Sequence, residues 1–101
     1  MMMYFEFNEH KLKQNNLTKD QCFTVIDKVM NEYGVHTNQP GIYIASDESG
    51  FNAFSILKCN LPKTKWFLKV IEKWFWFDDE DDIDWNDEGA DCIHSIQKYG
   101  V

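Results

Sequence analysis

The stretch Thr18-Lys19-Asp20-Gln21 constrains this chain more than any other. A Thr followed three residues later by a Gln reads as a capping box, in which the hydroxyl and the amide each satisfy a free backbone N–H at a helix start. Leu17 before it and Cys22 inside it are placed to form a hydrophobic staple. Cys22, Ile26, Val29 and Tyr33 then recur at three- and four-residue spacing, with Phe23 and Met30 alongside. Gly34 supplies the left-handed stop. The spacing predicts a helix over 18–33, and such a helix has to bury its apolar stripe.

The rest of the chain offers partners for that stripe. Met3–Phe7 (MYFEF) alternates apolar and polar and predicts a first strand. Asn8 can cap a short turn through His10–Gln14. HTNQPG (36–41) reads as a loop, and Gly41-IYIAS as a short strand. Asp47-Glu48-Ser49-Gly50 has turn chemistry. Residues 51–59 fit a helix face through Phe51, Phe54, Leu57 and Leu61, and fit a hairpin strand less cleanly. Pro62 suits the start of a further helix running to about residue 74. On it Trp66, Phe67, Val70, Ile71 and Trp74 form an apolar face opposite Lys65, Lys69 and Lys73. Asn86 or Asp87 can cap a last helix, with Ala90, Ile93 and Ile96 inward and Gly100 as its stop. The expectation is one α+β domain, 1–101, with a small two- or three-stranded sheet covered by three or four helices.

Charge separates the chain into two parts. Residues 1–77 hold nine Lys and eight acids, whereas residues 78–101 hold one Lys and nine acids. The formal charge of −7 therefore belongs to the last quarter, which bears on partners rather than on fold. No run approaches the roughly 20 apolar residues of a membrane span. The opening MMMYFEFNEH has no basic segment followed by an apolar one, so no signal peptide is expected. Cys22, Cys59 and Cys92 are odd in number and widely spaced, which predicts free thiols packed as core hydrophobes in a reducing cytoplasm. The basic residues are all Lys; the missing guanidinium argues weakly against base-specific DNA reading, and an AT-rich coding genome accounts for it equally. Lys65, Lys69 and Lys73 with Lys63 could touch phosphates, but such a stripe is more often the wet side of a helix.

The chemistry-bearing patterns are weak except for one. Asp84-Trp85-Asn86-Asp87-Glu88-Gly89 is similar to the start of a calcium-binding loop, but Ser95 stands where the bidentate Glu should be. Cys92 and His94 lack the close cysteine pair of structural zinc. No nucleophile has a base beside it, no two carboxylates stand apart as an acid and base, and no Gly-rich loop cradles phosphate. Neither an enzyme nor a cofactor is expected. The remaining pattern is Trp74–Trp85, WFWFDDEDDIDW, where aromatic residues run into Asp78, Asp79, Glu80, Asp81, Asp82 and Asp84. These acids could be a solvated loop and helix start, partly laid over the lysine stripe. Alternatively, they could stand in for phosphates in a groove built to bind nucleic acid, with Trp76, Trp85 and Ile83 as anchors.

A small, acidic, Trp-rich chain with Lys as its only base and no catalytic motif resembles the inhibitor proteins of phages and mobile elements, among them anti-CRISPR proteins and other DNA mimics. The segment LPKTKWFLKVIEKW is similar to small proteins on mobile elements of low-GC Gram-positive bacteria. The resemblance implies a stoichiometric inhibitor whose partner is a basic protein such as a CRISPR effector nuclease, with neither nucleic acid nor membrane bound directly. Asp78–Asp82 and Asp84 would meet the partner's cations, and Trp76 and Trp85 its apolar surface. A toxin-immunity protein and an oligomerising structural or regulatory subunit are the alternatives.

Overall fold

The computed structural model describes residues 1–37, 39–79 and 81–99. Its elements run β1 (Met2–Phe7), α1 (Glu9–Gln14), α2 (Lys19–Glu32), β2 (Ile42–Ile44), α3 (Glu48–Asn60), a 3₁₀ turn (Leu61–Lys63), α4 (Phe67–Val70), β3 (Ile71–Phe77) and α5 (Cys92–Tyr99). The fold is α+β: a three-stranded antiparallel sheet of order β2-β1-β3, with five α-helices among the described residues. None of these helices is long and apolar enough to cross a membrane.

The local signals at Thr18, Gly34 and Asn8 hold. Thr18 Oγ1 accepts from Gln21 N–H at 3.2 Å, and Gln21 Oε1 accepts from Thr18 N–H at 3.0 Å. Gly34 adopts φ +77°, the left-handed stop of α2. Asn8 caps α1 through Lys11 N–H. Segment 51–59 is helical, as its spacing favours.

Three expectations need correction. Asp47–Gly50 is not a turn between elements. Asp47 is the N-cap of α3, its carboxylate accepting from Gly50 N–H at 2.8 Å. The residue types that make turns also cap helices, because both satisfy free backbone N–H groups. Next, 62–74 is not one helix. It is a 3₁₀ turn, one turn of α4, and then β3. A bulge lies where Glu6 pairs with Lys73 but Phe7 pairs with Ile71, leaving Glu72 as the extra residue. That extra residue puts Ile71 and Trp74 on the same side of the strand, so a bulged strand mimics helical spacing. Lys65, Lys69 and Lys73 consequently share no helix face. Last, Cys59 is exposed at the end of α3, since the inward positions go to Ala53, Phe54, Leu57 and Leu61. Cys22 and Cys92 do pack as core residues.

The sheet is apolar on both sides. Met3, Phe5, Phe7, Tyr43, Ile71 and Trp74 belong to the main core with α2, α3 and α4. Trp74 is fully buried, stacked on Phe5 at 5.8 Å and edge-on to Phe67 at 4.9 Å. Tyr43 donates its hydroxyl hydrogen to Asp27, tying β2 to α2, and burial pushes its ionisation far above the ordinary range. The opposite face carries Met2, Tyr4, Ile42, Phe75 and Phe77. Both outer edges are managed. On β2, Thr37 donates its hydroxyl hydrogen to Ile42 C=O, and Ile42 N–H donates to Gln39 C=O. On β3, Trp76 N–H donates to Ala90 C=O, and Phe75 bridges to Asp91.

Gly50 tests the seating of α3. A Cβ there would lie 2.2 Å from Ala45 Cβ. Alanine is the better helix former by about 1 kcal/mol, yet Gly50→Ala is expected to lose about 1–3 kcal/mol net through overpacking. The check is a fall in the urea midpoint at unchanged slope. A rise would mean that α3 does not press on Ala45.

Candidate functional site

The segment after β3 cannot extend the strand. Consecutive like charges repel, and Asp is disfavoured in strands. Asp is favoured where its carboxylate can accept from the backbone two residues on, and the chain uses this repeatedly. Asp79 Oδ1 accepts from Asp81 N–H at 2.9 Å, Asp84 Oδ1 from Asn86 N–H at 3.0 Å, and Asp87 Oδ1 from Gly89 N–H at 2.9 Å. Backbone bonds from Asp82 to Asp79, Asp87 to Asp84 and Ala90 to Asp87 close the turns. Asp91 Oδ1 then accepts from His94 N–H at 3.1 Å, capping α5. The cap is therefore Asp91 rather than Asn86 or Asp87, which lie in the preceding turns. The expected stop at Gly100 falls outside the described residues, as does the placement of Glu80.

This string of turns is fastened to the outer face of the sheet. Phe75 and Phe77 lie parallel, 5.6 Å apart. Trp85 stands nearly perpendicular to both, at 5.3 and 5.2 Å, and to Tyr4 at 5.1 Å. Ile83 and Ala90 pack on the same face. Such edge-to-face pairs add about 0.5–1.5 kcal/mol each beyond area burial. Trp85 nevertheless keeps 50% of its surface exposed.

The two expected tryptophan anchors are not together. Trp76 pairs with Met3 in the register and packs toward the main core, whereas Trp85 packs on Tyr4, Phe75 and Phe77 of the other face. Trp76 is half-buried between Phe51 and Phe54, with the Lys58 ammonium 5.9 Å from its ring. It also reaches the wall of a cleft of about 330 Å³ shared with Asp78, Asp79, Asp82 and Asp87.

The acids are exposed from Asp78 to Glu88 wherever they are described. Among the described residues, Asp78, Asp79, Asp81, Asp82, Asp84 and Asp87 form no ion pair. The lysine stripe that could have neutralised them is dispersed, and Lys73 instead sits 3.8 Å from Glu6. No described group of three His, Cys, Asp or Glu side chains is arranged to hold a metal ion. Asp84, the first ligand position of the calcium-like pattern, spends an oxygen on the backbone instead. Glu88 lies 3.6 Å from His94. Two residues away, Cys92 is buried and its thiol is pushed up to about 12, chiefly by burial, so it is not an activated nucleophile.

Sequence reasoning missed the other half of this surface. Tyr4, Ile42 and Ile44 share the face on which Trp85 packs. The signal was present in Ile42-Tyr43-Ile44, a strand apolar at every position, which implies contact on both sides. At the far end, Glu6, Glu9, Glu72 and Lys19 line a cleft of about 700 Å³ together with Tyr4 and Ile42. Lys19, 2.8 Å away, holds the Glu9 carboxyl below its usual range. Compared with protein-family models, curated proteins and solved structures, the chain matches none.

The thiols give a direct check on this packing. Native protein treated with iodoacetamide is expected to react at Cys59, with Cys22 and Cys92 protected until unfolding, as read by peptide mass mapping. Burial raises the ionisation of Cys92 from 9.0 to about 12 and also raises that of Cys22. Above about pH 9 the unfolded chain then binds fewer protons than the native one, so stability is intact below that pH and declines toward about pH 12. Cys92→Ala should flatten this decline in alkaline urea titrations.

Proposed function

We propose that the protein is a stoichiometric inhibitor, of the anti-CRISPR type, whose acidic loop occupies a nucleic-acid-binding surface on a basic partner such as a CRISPR effector nuclease. The observation that carries this reading is a row of carboxylates that, among the described residues, pairs with no cation. An ordinary solvated loop would be neither clamped by Trp85 and Ile83 nor closed by three Asp-to-backbone turns. A loop shaped before binding loses less entropy on association. Carboxylates left unpaired in the free protein keep their full field for steering a basic partner.

The loop acids fall into two groups by role. Asp79, Asp84 and Asp87 hold the turns, each with one oxygen engaged. Asp78, Asp81 and Asp82 make no side-chain hydrogen bond among the described residues and are the acids free to meet a partner. Trp85 serves mainly to seat the loop, and its exposed half is available to the partner. The function is exercised by binding, with no turnover by the protein itself.

The test uses the partner recovered by affinity capture from the native host, assayed for nucleic-acid cleavage. Replacing Asp78, Asp81 and Asp82 by Asn should leave the melting temperature unchanged or slightly raised, because like charges are removed. Inhibition should weaken at least about tenfold, since charge-assisted contacts are worth about 1.5–3 kcal/mol each. Wild-type affinity should fall steeply between about 50 and about 200 mM salt. Undiminished inhibition by the triple variant overturns the proposal.

A further inference from the structure

The outer face of the sheet is covered along β3 and open along β2. Its cross-strand rows are Ile44–Met2–Phe77, then Ile42–Tyr4–Phe75, then Glu6–Lys73. The acidic loop hides Met2, Phe75 and Phe77, which are buried. It leaves Ile44 54% exposed and Trp85 50% exposed, with Tyr4 and Ile42 half-buried between them. An apolar strip of this kind is costly in water unless something else covers it.

Charge brackets the strip. On one side Asp78 follows Phe77, Asp82 precedes Ile83, and Asp84 precedes Trp85. On the other lie Glu6, Glu9 and Glu72, against which Lys19 and Lys73 are the only cations within ion-pair distance among the described residues. Tyr4 donates to Glu6 at 3.0 Å, and Asn8 donates to Glu72 at 2.8 Å. A second copy of the chain is a poor occupant, because face-to-face docking brings together two segments of nine acids each. Nucleic acid has the wrong sign.

We propose that Tyr4, Ile42, Ile44 and Trp85 form the apolar centre of the partner-binding surface, and that its occupant is a basic protein segment with apolar residues between its cations. This rests on the reading of the acidic loop as the partner-binding element. It moves the apolar contact away from Trp76, which lies on the other side of the sheet, to the face that the loop itself borders. Lys or Arg stems would lie along Ile44 and Trp85 while their heads reach the carboxylates. From Met2 to Glu6 the strand advances about 13 Å at ~3.3 Å per residue. A helix rises about 12 Å over eight residues, near that distance, and keeps i, i+4 and i+8 on one side, so cations about eight apart with an apolar residue midway match the surface.

The probes are two synthetic helical peptides with Arg about eight positions apart, one with Leu midway and one with Ser there. Each is titrated into the full chain and followed by amide and indole NMR shifts. The Leu peptide should shift Tyr4, Ile42, Ile44 and the Trp85 indole and bind about tenfold tighter than the Ser peptide. Ile44→Ser should remove most of that advantage, weakening the Leu peptide more than the Ser peptide. The Asp78, Asp81, Asp82→Asn variant should weaken both peptides. Equal binding of the two peptides, shifts confined to other residues, or no binding of the Leu peptide overturns the apolar strip. The acidic reading survives those outcomes if the Asn variant still weakens binding to the captured nuclease, and falls if it does not. A concentration-dependent dimer in light scattering that Ile44→Ser dissolves would assign the strip to a second copy and also overturn the proposal.

Discussion

Strand β3 carries large aromatic side chains on both of its faces, and both have to leave water. Trp74 and Trp76 turn toward the helices, while Phe75 and Phe77 turn the other way. Burying one such ring is worth about 1.5–3 kcal/mol, so neither face can be left wet cheaply. The inner side is met by α2, α3 and α4 through Phe54, Phe67 and Ile26. No helix remains for the outer side, and the chain covers it with the nearest available segment, its acidic loop. Ile83, Trp85 and Ala90 are the apolar residues of that loop, and they are the ones that dock.

The display of charge follows from this. A segment that must lay its few apolar residues on the sheet has its carboxylates directed outward. The same segment must make several tight turns, and its aspartates supply them. Some carboxylates thus become internal scaffolding, while Asp78, Asp81 and Asp82 make no side-chain hydrogen bond among the described residues. Among the described residues no lysine pairs with these aspartates, so the surface stays strongly negative. The loop also closes the edge of β3 through Ala90 and Asp91, so one element protects the sheet edge, covers a face and carries the charge.

Much of the local structure was legible in the residues. The capping box at Thr18, the stop at Gly34, the strand MYFEF and the helicity of 51–59 depend on neighbours in sequence, and the structure realises each. The failures at 62–74 and at the start of α5 share one cause. Trp66, Phe67, Val70, Ile71 and Trp74 have helical spacing, but pairing with β1 takes residues 71–77 into the sheet and the bulge at Glu72 restores their inward direction. Asp91 rather than Asn86 or Asp87 caps α5, because the bridge to Phe75 fixes where the chain can start to coil. Pairing across more than 60 residues leaves no local trace.

The candidate site divides in the same way. Sequence alone determined that residues 78–91 are strongly acidic, that tryptophans lie just before and within them, and that the rest of the chain is near neutral. These are properties of composition and order, untouched by folding. Only the tertiary structure decided that the lysines would disperse, that Trp76 and Trp85 would lie on opposite sides of the sheet, and that Tyr4, Ile42 and Ile44 would share the face on which Trp85 packs. The reason is the pleat: successive residues of a strand point to opposite faces, so which residues meet depends on register, and register is set by partners distant in the chain.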